Sequence, residues 1–366
     1  MGAPHERDRS GATAIAAMAR SHRMNLIEWC ERGYVPDALA RFGMRRLVAQ
    51  RLAEVSAGDA KARYRALVEQ LRESPVAIHT QHANAQHYEV PAEFFRLHLG
   101  PRLKYSCCLY EGASRTLAQA EDAMLELYLQ RAQLADGQRI LDLGCGWGSL
   151  SLWLARRLPR AQIVGLSNSQ GQRAFIEQRA REQELANLRI LTADVVDFEF
   201  PAAGVDAGFD RIVSIEMFEH MRNYDALLAK VARWLKPDGR LFVHIFAHRT
   251  RAYPFEVKDG SDWMSQYFFT GGLMPSKDLL GEFQGALRLE QQWWLDGTHY
   301  ERTANHWLEG MDACRGAILE VFHAAYGADA ARWLRRWRMF YMAVAELFSF
   351  RNGSEWGVGH YRFARR

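Results

Sequence analysis

The chain has 366 residues, 48% of them hydrophobic, and a formal net charge of only +4. That is enough to bury the core of two domains, or of one domain with a large appendage. With no compact lysine-rich run it excludes a dedicated nucleic-acid binder. Five cysteines, Cys30, Cys107, Cys108, Cys145 and Cys314, form no C-x-x-C pair, which argues against a disulfide framework and suits a reducing cytoplasm. Nowhere do eighteen apolar residues run together and the first residues lack an apolar signal core, so neither a signal peptide nor a membrane span is expected and any lipid contact would be peripheral.

Residues 1–20, polar and then alanine-rich, are expected to be a mobile tail. Residues 24–72 place Leu26, Ile27 and Trp29, then Leu39, Phe42, Leu47, Val48 and Leu52, at helical spacing with a break at residues 33–36; this predicts a helical N-terminal extension. Residues 79–91, HTQHANAQHYEVP, predict a loop. Its histidines, His79, His82 and His87, match no familiar ligand spacing, so no metal site is expected there. A short helix is predicted at 92–99. Thr116 ahead of Leu117, Ala120, Met124, Leu127 and Tyr128 marks the cap and apolar stripe of an amphipathic helix. The extension and a cofactor-covering segment are therefore assigned residues 21–115, and the core residues 116–366.

From residue 138 onward strands and helices alternate. Strands are predicted at Ile140 and Leu141, then at 162–166, 188–191, 209–215 and 240–246, with helices at 149–157, 169–183 and 224–235, the last closed by Lys236, Pro237, Asp238 and Gly239. This is the pattern of an α/β fold, a doubly wound, mostly parallel sheet with its ligand at the carboxyl ends of the strands. After Phe246 the rhythm breaks. Residues 262–275 are aromatic and glycine-bearing and residues 305–350 mostly helical, so residues 247–350 are expected to form a lid and a pocket wall. Tyr253, Phe348 and Trp356 are candidates to line it. In residues 332–340, RWLRRWRMF, Trp333 and Trp337 are expected to pack inward while the arginines stay solvated.

Residues 138–157, QRILDLGCGWGSLSLWLARR, organise the rest. An apolar strand runs into Gly144, Gly146 and Gly148 and then into a helix, a turn at which backbone can approach a ligand closely and helix N–H groups face it. The glycines read G-x-G-x-G after Asp142, not the G-x-G-x-x-G of most dinucleotide sites. The acidic residue suits the methionine ammonium of S-adenosylmethionine better than a pyrophosphate.

The residues as a set resemble the cyclopropane-fatty-acyl-phospholipid synthase superfamily of S-adenosylmethionine-dependent methyltransferases, and within it the coclaurine N-methyltransferase group. The likeness runs over residues 24–366. It is carried by KYSCCLY (104–110), LDLGCGWGSL (141–150), SIEMFEHMRNY (214–224), DWMSQYFF (262–269) and AELFSFRNGSEW (345–356). It implies a Rossmann-like class I methyltransferase core and cofactor contacts at Tyr105, Ser106, Gly144, Gly146, Asn168, Gln172, Asp194 and Ile215. A carboxylate at Asp194, near the end of strand three, could accept from the adenine amino group. Where many nucleotide folds carry an acid after strand two, LSNSQGQ offers only amides and hydroxyls. Asn168 and Gln172 would bind the ribose there, or Asn168 or Ser169 would simply cap the helix.

Chemistry is expected at Glu216, Glu219 and His220, which follow the end of strand four at the carboxyl edge of the sheet. An amine protonated at neutral pH has no lone pair, so a carboxylate to bind the ammonium and a base to take its proton are the groups that N-methylation needs. The resemblance assigns the matching Glu and His these roles. A plainer reading has Glu219 and His220 cap a helix beginning near Met221.

The same resemblance carries an alternative, a bicarbonate-dependent methylation of a lipid alkene, for which Cys107, Glu219, His244 and Tyr300 match the family's anion site. Glu216 departs from it, since the lipid enzymes usually carry glycine there and a second carboxylate would repel an anionic base. Glu216 therefore favours a cationic acceptor, which the resemblance implies is a small aromatic or alkaloid-like amine, with a phospholipid as the alternative and a homodimer left open. The remaining readings, a catalytically silent S-adenosylmethionine-binding module and a dinucleotide redox enzyme, are disfavoured by the intact acids and the glycine spacing respectively.

Overall fold

The computed structural model describes residues 26–78, 90–111, 116–201, 204–257 and 262–366. The expected mobile tail and the histidine-rich loop lie outside these residues, save for Val90 and Pro91.

Three helices open the described chain, α1 (Leu26–Arg32), α2 (Asp37–Ser56) and α3 (Ala60–Glu73). The extension therefore breaks twice and not once as expected. Gly58 adopts a left-handed φ of 69° and Asp59 accepts from the N–H groups of Lys61 and Ala62 to start α3, the signature of an N-cap. Two further helices follow, α4 (Ala92–His98) and α5 (Leu117–Arg131). The latter starts in a full capping box between Thr116 and Gln119.

The core then alternates as expected through β1 (Arg139–Leu143), α6 (Ser149–Arg157), β2 (Gln162–Ser167), α7 (Gln170–Glu182), β3 (Leu188–Thr192), β4 (Phe209–Ile215), α8 (Tyr224–Trp234) and β5 (Leu235–His248). Asp194 lies just past the end of β3. Two details differ. A 3₁₀ turn, not a helix start, occupies Phe218–His220, and α8 begins at Tyr224 under an Asn223 cap, so Glu219 and His220 cap no α-helix. Nor do residues 236–239 close α8 as a turn. β5 starts at Leu235 and absorbs them as an irregularity against Phe209 and Arg211 of β4.

The chain goes on through β6 (Tyr253–Pro254), α9 (Trp263–Tyr267), β7 (Leu273–Met274), β8 (Leu287–Asp296), α10 (Thr298–Ala313), α11 (Arg315–Tyr326), α12 (Ala330–Gly353) and β9 (Trp356–Arg365). The seven-stranded sheet has the order β3-β2-β1-β4-β5-β9-β8, with the first five strands parallel and β9 antiparallel to both its neighbours. The expectation of five strands misses β8 and β9, and Trp356, a candidate pocket residue, is instead fully buried at the start of β9, its indole N–H donating to Tyr253 Oη at 3.1 Å.

Alternation along β5 divides the core. Leu241, Val243 and Ile245 belong to the apolar layer on one face, while Phe242 and Phe246 join Tyr128, Ile140 and Trp307 on the other, with His244 between them in sequence. α12 packs against α2, α10 and α11, which joins the N-terminal extension to the C-terminal helices. Trp337 is fully buried on α12 as expected. Its arginines are less solvated than expected: Arg336 pairs with the buried Glu31 at 2.8 Å, and Arg338 with Asp37 and Asp312 at 2.7 and 2.6 Å.

Candidate active site

The order of strands reverses between β1 and β4, and the site lies at their carboxyl ends, where an open α/β sheet leaves its crevice. Gly144, Gly146 and Gly148 all have positive φ, 85°, 51° and 79°. A Cβ on Gly148 would strike Ile176, whereas one on Gly146 would meet no protein atom within 4 Å. The turn needs glycine for its backbone, and at Gly146 the space in front of it is open.

Two cavities meet there, sharing Gly144, Gly146, Gln172 and His220. One contains the expected Asn168 and Asp194, together with Met217 and Thr270. The other contains the expected Tyr105, Ser106, Asp142, Ile215, Glu216 and Glu219. Every sequence-nominated cofactor residue therefore borders one or both of these adjoining cavities. Several are held by the protein itself. Asp142 accepts from Ser151 Oγ at 2.6 Å and burial lifts its carboxyl to about 6. Gln172 accepts from Ser167 Oγ at 2.7 Å, and Asp194 from the Val196 N–H at 2.9 Å.

The acids divide sharply. Glu216 accepts at Oε1 from the Cys107 N–H and His244 Nε2, both at 3.1 Å, and at Oε2 from Tyr300 Oη at 2.7 Å. Three of the four residues nominated as an anion site thus surround the carboxylate of Glu216, Cys107 through its backbone amide while its thiol lies 3.4 Å from Cys108 O. The cradle draws on three separate elements, the segment before α5, β5 and α10. Lys104, almost fully buried, donates to Ser106 Oγ at 2.5 Å and to Cys107 O at 2.8 Å. It ties that segment down and puts a cation near Glu216. Burial raises the Glu216 pKa, while Lys104, Tyr300 and the Cys107 amide pull it back. Its backbone is left-handed, φ 47°, a conformation that costs an L residue about 1 kcal/mol or more and suits glycine.

Glu219, the fourth nominated residue, stands outside this cradle. It is 2% exposed, and its Oε2 has no hydrogen-bond partner among the described residues. Burial, and then the neighbouring Glu216 charge, raise its pKa well above the carboxylate range. Two adjacent carboxyls cannot both ionise cheaply, and the three donors on Glu216, against none among the described residues on Glu219 Oε2, favour the charge on Glu216 and the proton on Glu219. His220 stacks on Phe269 with ring centroids 6.2 Å apart and planes 10° from parallel.

The rest of the wall is apolar, with Phe246, Phe269, Trp307, Phe340 and Phe348. Phe348, nominated for the pocket, is among these rings and is also part of the buried core. Tyr253 lines a separate apolar groove beneath α1 and α2, which shares Phe255, Met264 and Leu347 with the site. Reading the sequence missed Lys104, Tyr128 and His360 as site support. The signal for His360 was the alternation of β9, a strand hidden behind the left-handed end of a helix at Arg351, Asn352 and Gly353.

The model of the mycolic acid cyclopropane synthetase family matches residues 77–354. The chain belongs to this family. It is similar to (S)-coclaurine N-methyltransferase of Thalictrum flavum subsp. glaucum, 36% identical over 351 residues that cover 94% of this chain and 96% of that one. The crystal structure of coclaurine N-methyltransferase bound to N-methylheliamine and SAH superposes with a TM-score of 0.88 at 35% identity, covering 93% of this chain and 99% of that one. The cyclopropane-fatty-acyl-phospholipid synthase of Escherichia coli K12 is more distant, 29% identical over 71% of this chain and 68% of that protein. This member of the family is an S-adenosylmethionine-dependent methyltransferase, placed with the N-methyltransferases in preference to the cyclopropane synthases. Its glycine turn, open at Gly146 and flanked by Asp142 and Asp194, fits that cofactor. No helix among the described residues is long and apolar enough to cross a membrane.

Proposed function

We propose that the chain methylates the nitrogen of a small, largely apolar amine of the alkaloid kind, with Glu216 as a fixed anion and Glu219, assisted by His220, as the group that receives the ammonium proton. The observation that carries this is the unpartnered Oε2 of Glu219, buried beside a carboxylate that is already triply bonded. A buried carboxyl oxygen without a partner costs about 1–3 kcal/mol or more, and an N–H donor on the ligand would recover it.

Asp142, Gly144, Gly146, Asn168, Gln172 and Asp194 would hold S-adenosylmethionine, which when bound supplies a methyl group on a sulfonium centre. The protein's own part begins with the amine. An arriving ammonium is drawn by the Glu216 charge in an apolar cavity, where little water screens it. Its field lowers the proton affinity of Glu219, whose proton passes by way of His220, at the junction of the two cavities, to solvent. The ammonium then hands its own proton to Glu219, a competent base because burial and Glu216 raise its pKa. The nitrogen lone pair is thereby freed inside a wall of aromatic rings, which also favour a cation by about 0.5–2 kcal/mol. The groove below α1 and α2 would admit the acceptor's apolar body.

The bicarbonate-dependent lipid reading loses support from the same place, because the Glu216 carboxylate takes the amide, imidazole and phenol donors that an added anion would need. Methyl transfer from labelled S-adenosylmethionine, assayed in bicarbonate-depleted buffer with (S)-coclaurine, pavine-type amines and unsaturated phospholipid vesicles, tests the proposal. Transfer to amines alone, without added bicarbonate, is expected. Transfer to vesicles that requires bicarbonate would overturn it.

A further inference from the structure

Behind Glu216 runs a line of buried side chains whose hydrogen-bond directions can be worked out from donor capacity alone. His244 stands on β5 and His360 on β9, directly opposite one another in the antiparallel register. Both are fully buried. His244 Nε2 lies 3.1 Å from Glu216 Oε1, His244 Nδ1 lies 2.8 Å from His360 Nε2, and His360 Nδ1 lies 2.7 Å from Nη1 of Arg131 in the last turn of α5. Tyr128 Oη also reaches His244 Nδ1, at 2.9 Å.

A guanidinium can only donate. His360 Nδ1 must therefore accept, which leaves the His360 proton on Nε2. That N–H points at His244 Nδ1, which must accept in turn, leaving the His244 proton on Nε2, directed at the Glu216 carboxylate. The argument runs equally well from the other end. An ionised carboxylate can only accept, so His244 Nε2 must carry the proton, and the single lone pair on Nδ1 then faces His360 Nε2–H, shared with the Tyr128 hydroxyl when that hydroxyl donates. Any other arrangement sets two donors or two lone pairs face to face at hydrogen-bond distance. Both rings are neutral in this scheme, and burial does hold the proton affinity of each imidazole well below its ordinary value, with Lys104 and Arg131 adding to the effect.

We infer that Arg131 and His360 are positioning residues that act through His244: a guanidinium at the rim of the sheet fixes the tautomers of two buried histidines in series, so that the last N–H of the line holds the Glu216 carboxylate in place. This rests on the reading of Glu216 as the fixed anion of the site. Its consequence for the reaction is that His244, although close to the chemistry, is unavailable as a base and never becomes an imidazolium that would repel an ammonium. The acceptor's proton is left to Glu219 and His220. A carboxyl-orienting line of this kind resembles the outer partners that orient the histidine ligands of metal sites, whose loss typically costs about 10–100-fold in metal affinity or activity.

The other charged or titratable groups that face this line are Lys104, Cys107, Tyr128, Glu219 and Tyr300. The decisive readout should therefore be the tautomers themselves. NMR of histidine labelled with ¹³C and ¹⁵N, on the full chain with S-adenosylhomocysteine added and with signals assigned through His360→Gln and His244→Gln, is expected to show both rings neutral and protonated at Nε2 near pH 7. In Arg131→Met, which keeps the aliphatic stem, the His360 signals should move toward the other tautomer. Turnover of an accepted amine should fall about ten- to a hundred-fold with cofactor affinity unchanged, and Arg131→Lys, which still donates, should restore much of it. A proton on Nδ1 or an imidazolium on either ring of the parent protein overturns the proposal, as does an Arg131→Met protein whose tautomers or turnover match the parent. If no amine is methylated, the proposed acceptor class fails, and the parent spectra still decide the tautomer line.

Discussion

Tyr300 Oη donates to Glu216 Oε2 at 2.7 Å, from the first turn of α10 to the residue that follows β4. Tyr300 is stacked at 4.4 Å on Phe348, and α10 itself begins against Gly297, where a Cβ would run into the carbonyl oxygens of Phe348 and Trp356. The hydroxyl is therefore delivered by tightly built backbone and not by a flexible side chain finding a partner. Tyr300→Phe removes one donor to a buried charge and changes little else. A hydrogen bond to a charged group is worth about 1.5–3 kcal/mol, so kcat/KM toward amines should fall roughly ten- to a hundred-fold. Steady-state kinetics beside calorimetric cofactor affinity checks this, since weakened S-adenosylmethionine binding would mean the phenol serves the cofactor and not the carboxylate.

The glycine turn gives a second expectation. At Gly146 an added side chain meets empty space in the protein, so Gly146→Val adds the cost of a β-branched residue at a φ of 51° and fills the place assigned to the cofactor. S-adenosylmethionine affinity should drop by orders of magnitude while far-UV circular dichroism stays that of the parent. Undiminished binding would move the cofactor elsewhere.

How much of this could be read beforehand depended on where the information sat. β1 to β5 announced themselves because parallel strands covered on both faces are continuous apolar runs, and the acids after β4 sit at an edge that the topology marks. β8 and β9 did not. LRLEQQWWLD mixes charged and aromatic residues, and WGVGHYRFAR follows a helix whose end is set by Arg351, Asn352 and Gly353 in left-handed conformations, which local propensity reads as loop. With β9 went His360. The roles of Glu216 and Glu219 were also out of reach, because which carboxyl has three donors and which has an unpartnered oxygen is decided by Cys107, His244 and Tyr300, each far away in sequence.

Acid stability should report another buried histidine. His98 Nδ1 donates to Phe94 O and its Nε2 accepts from Tyr341 Oη, each at 2.7 Å, and burial drops its pKa to about 3. Because the folded value lies below the unfolded one, the unfolded chain takes up this proton first. The stability tied to a neutral His98 is complete above about pH 6.5 and is lost as pH falls toward 3. His98→Gln can keep both hydrogen bonds and does not titrate, so its melting temperature should decline less than the parent's between pH 6.5 and 4. Parallel declines would assign acid lability to other groups.

The Glu216 cradle can be emptied. Glu216→Gly removes the carboxylate and leaves the Cys107 amide, the His244 Nε2–H and the Tyr300 hydroxyl pointing into the vacated space, at a backbone position whose positive φ glycine accepts without strain. The fold should hold, and amine methylation should fall by about ten- to a thousand-fold through loss of the charge that binds and orients the ammonium. Three converging donors near the Lys104 cation form a site for a small planar anion. Formate or bicarbonate added to the variant should therefore recover a saturable part of the activity, with no effect on the parent, whose own carboxylate fills the place. Glu216→Gln is the matching control. It occupies the same volume but carries no charge and cannot satisfy three donors without turning an N–H toward one of them, so neither ion should help it. A Glu216→Gly protein that binds cofactor normally yet responds to neither anion would mean that Glu216 contributes more than a fixed negative charge, and would require it to take part in proton transfer itself.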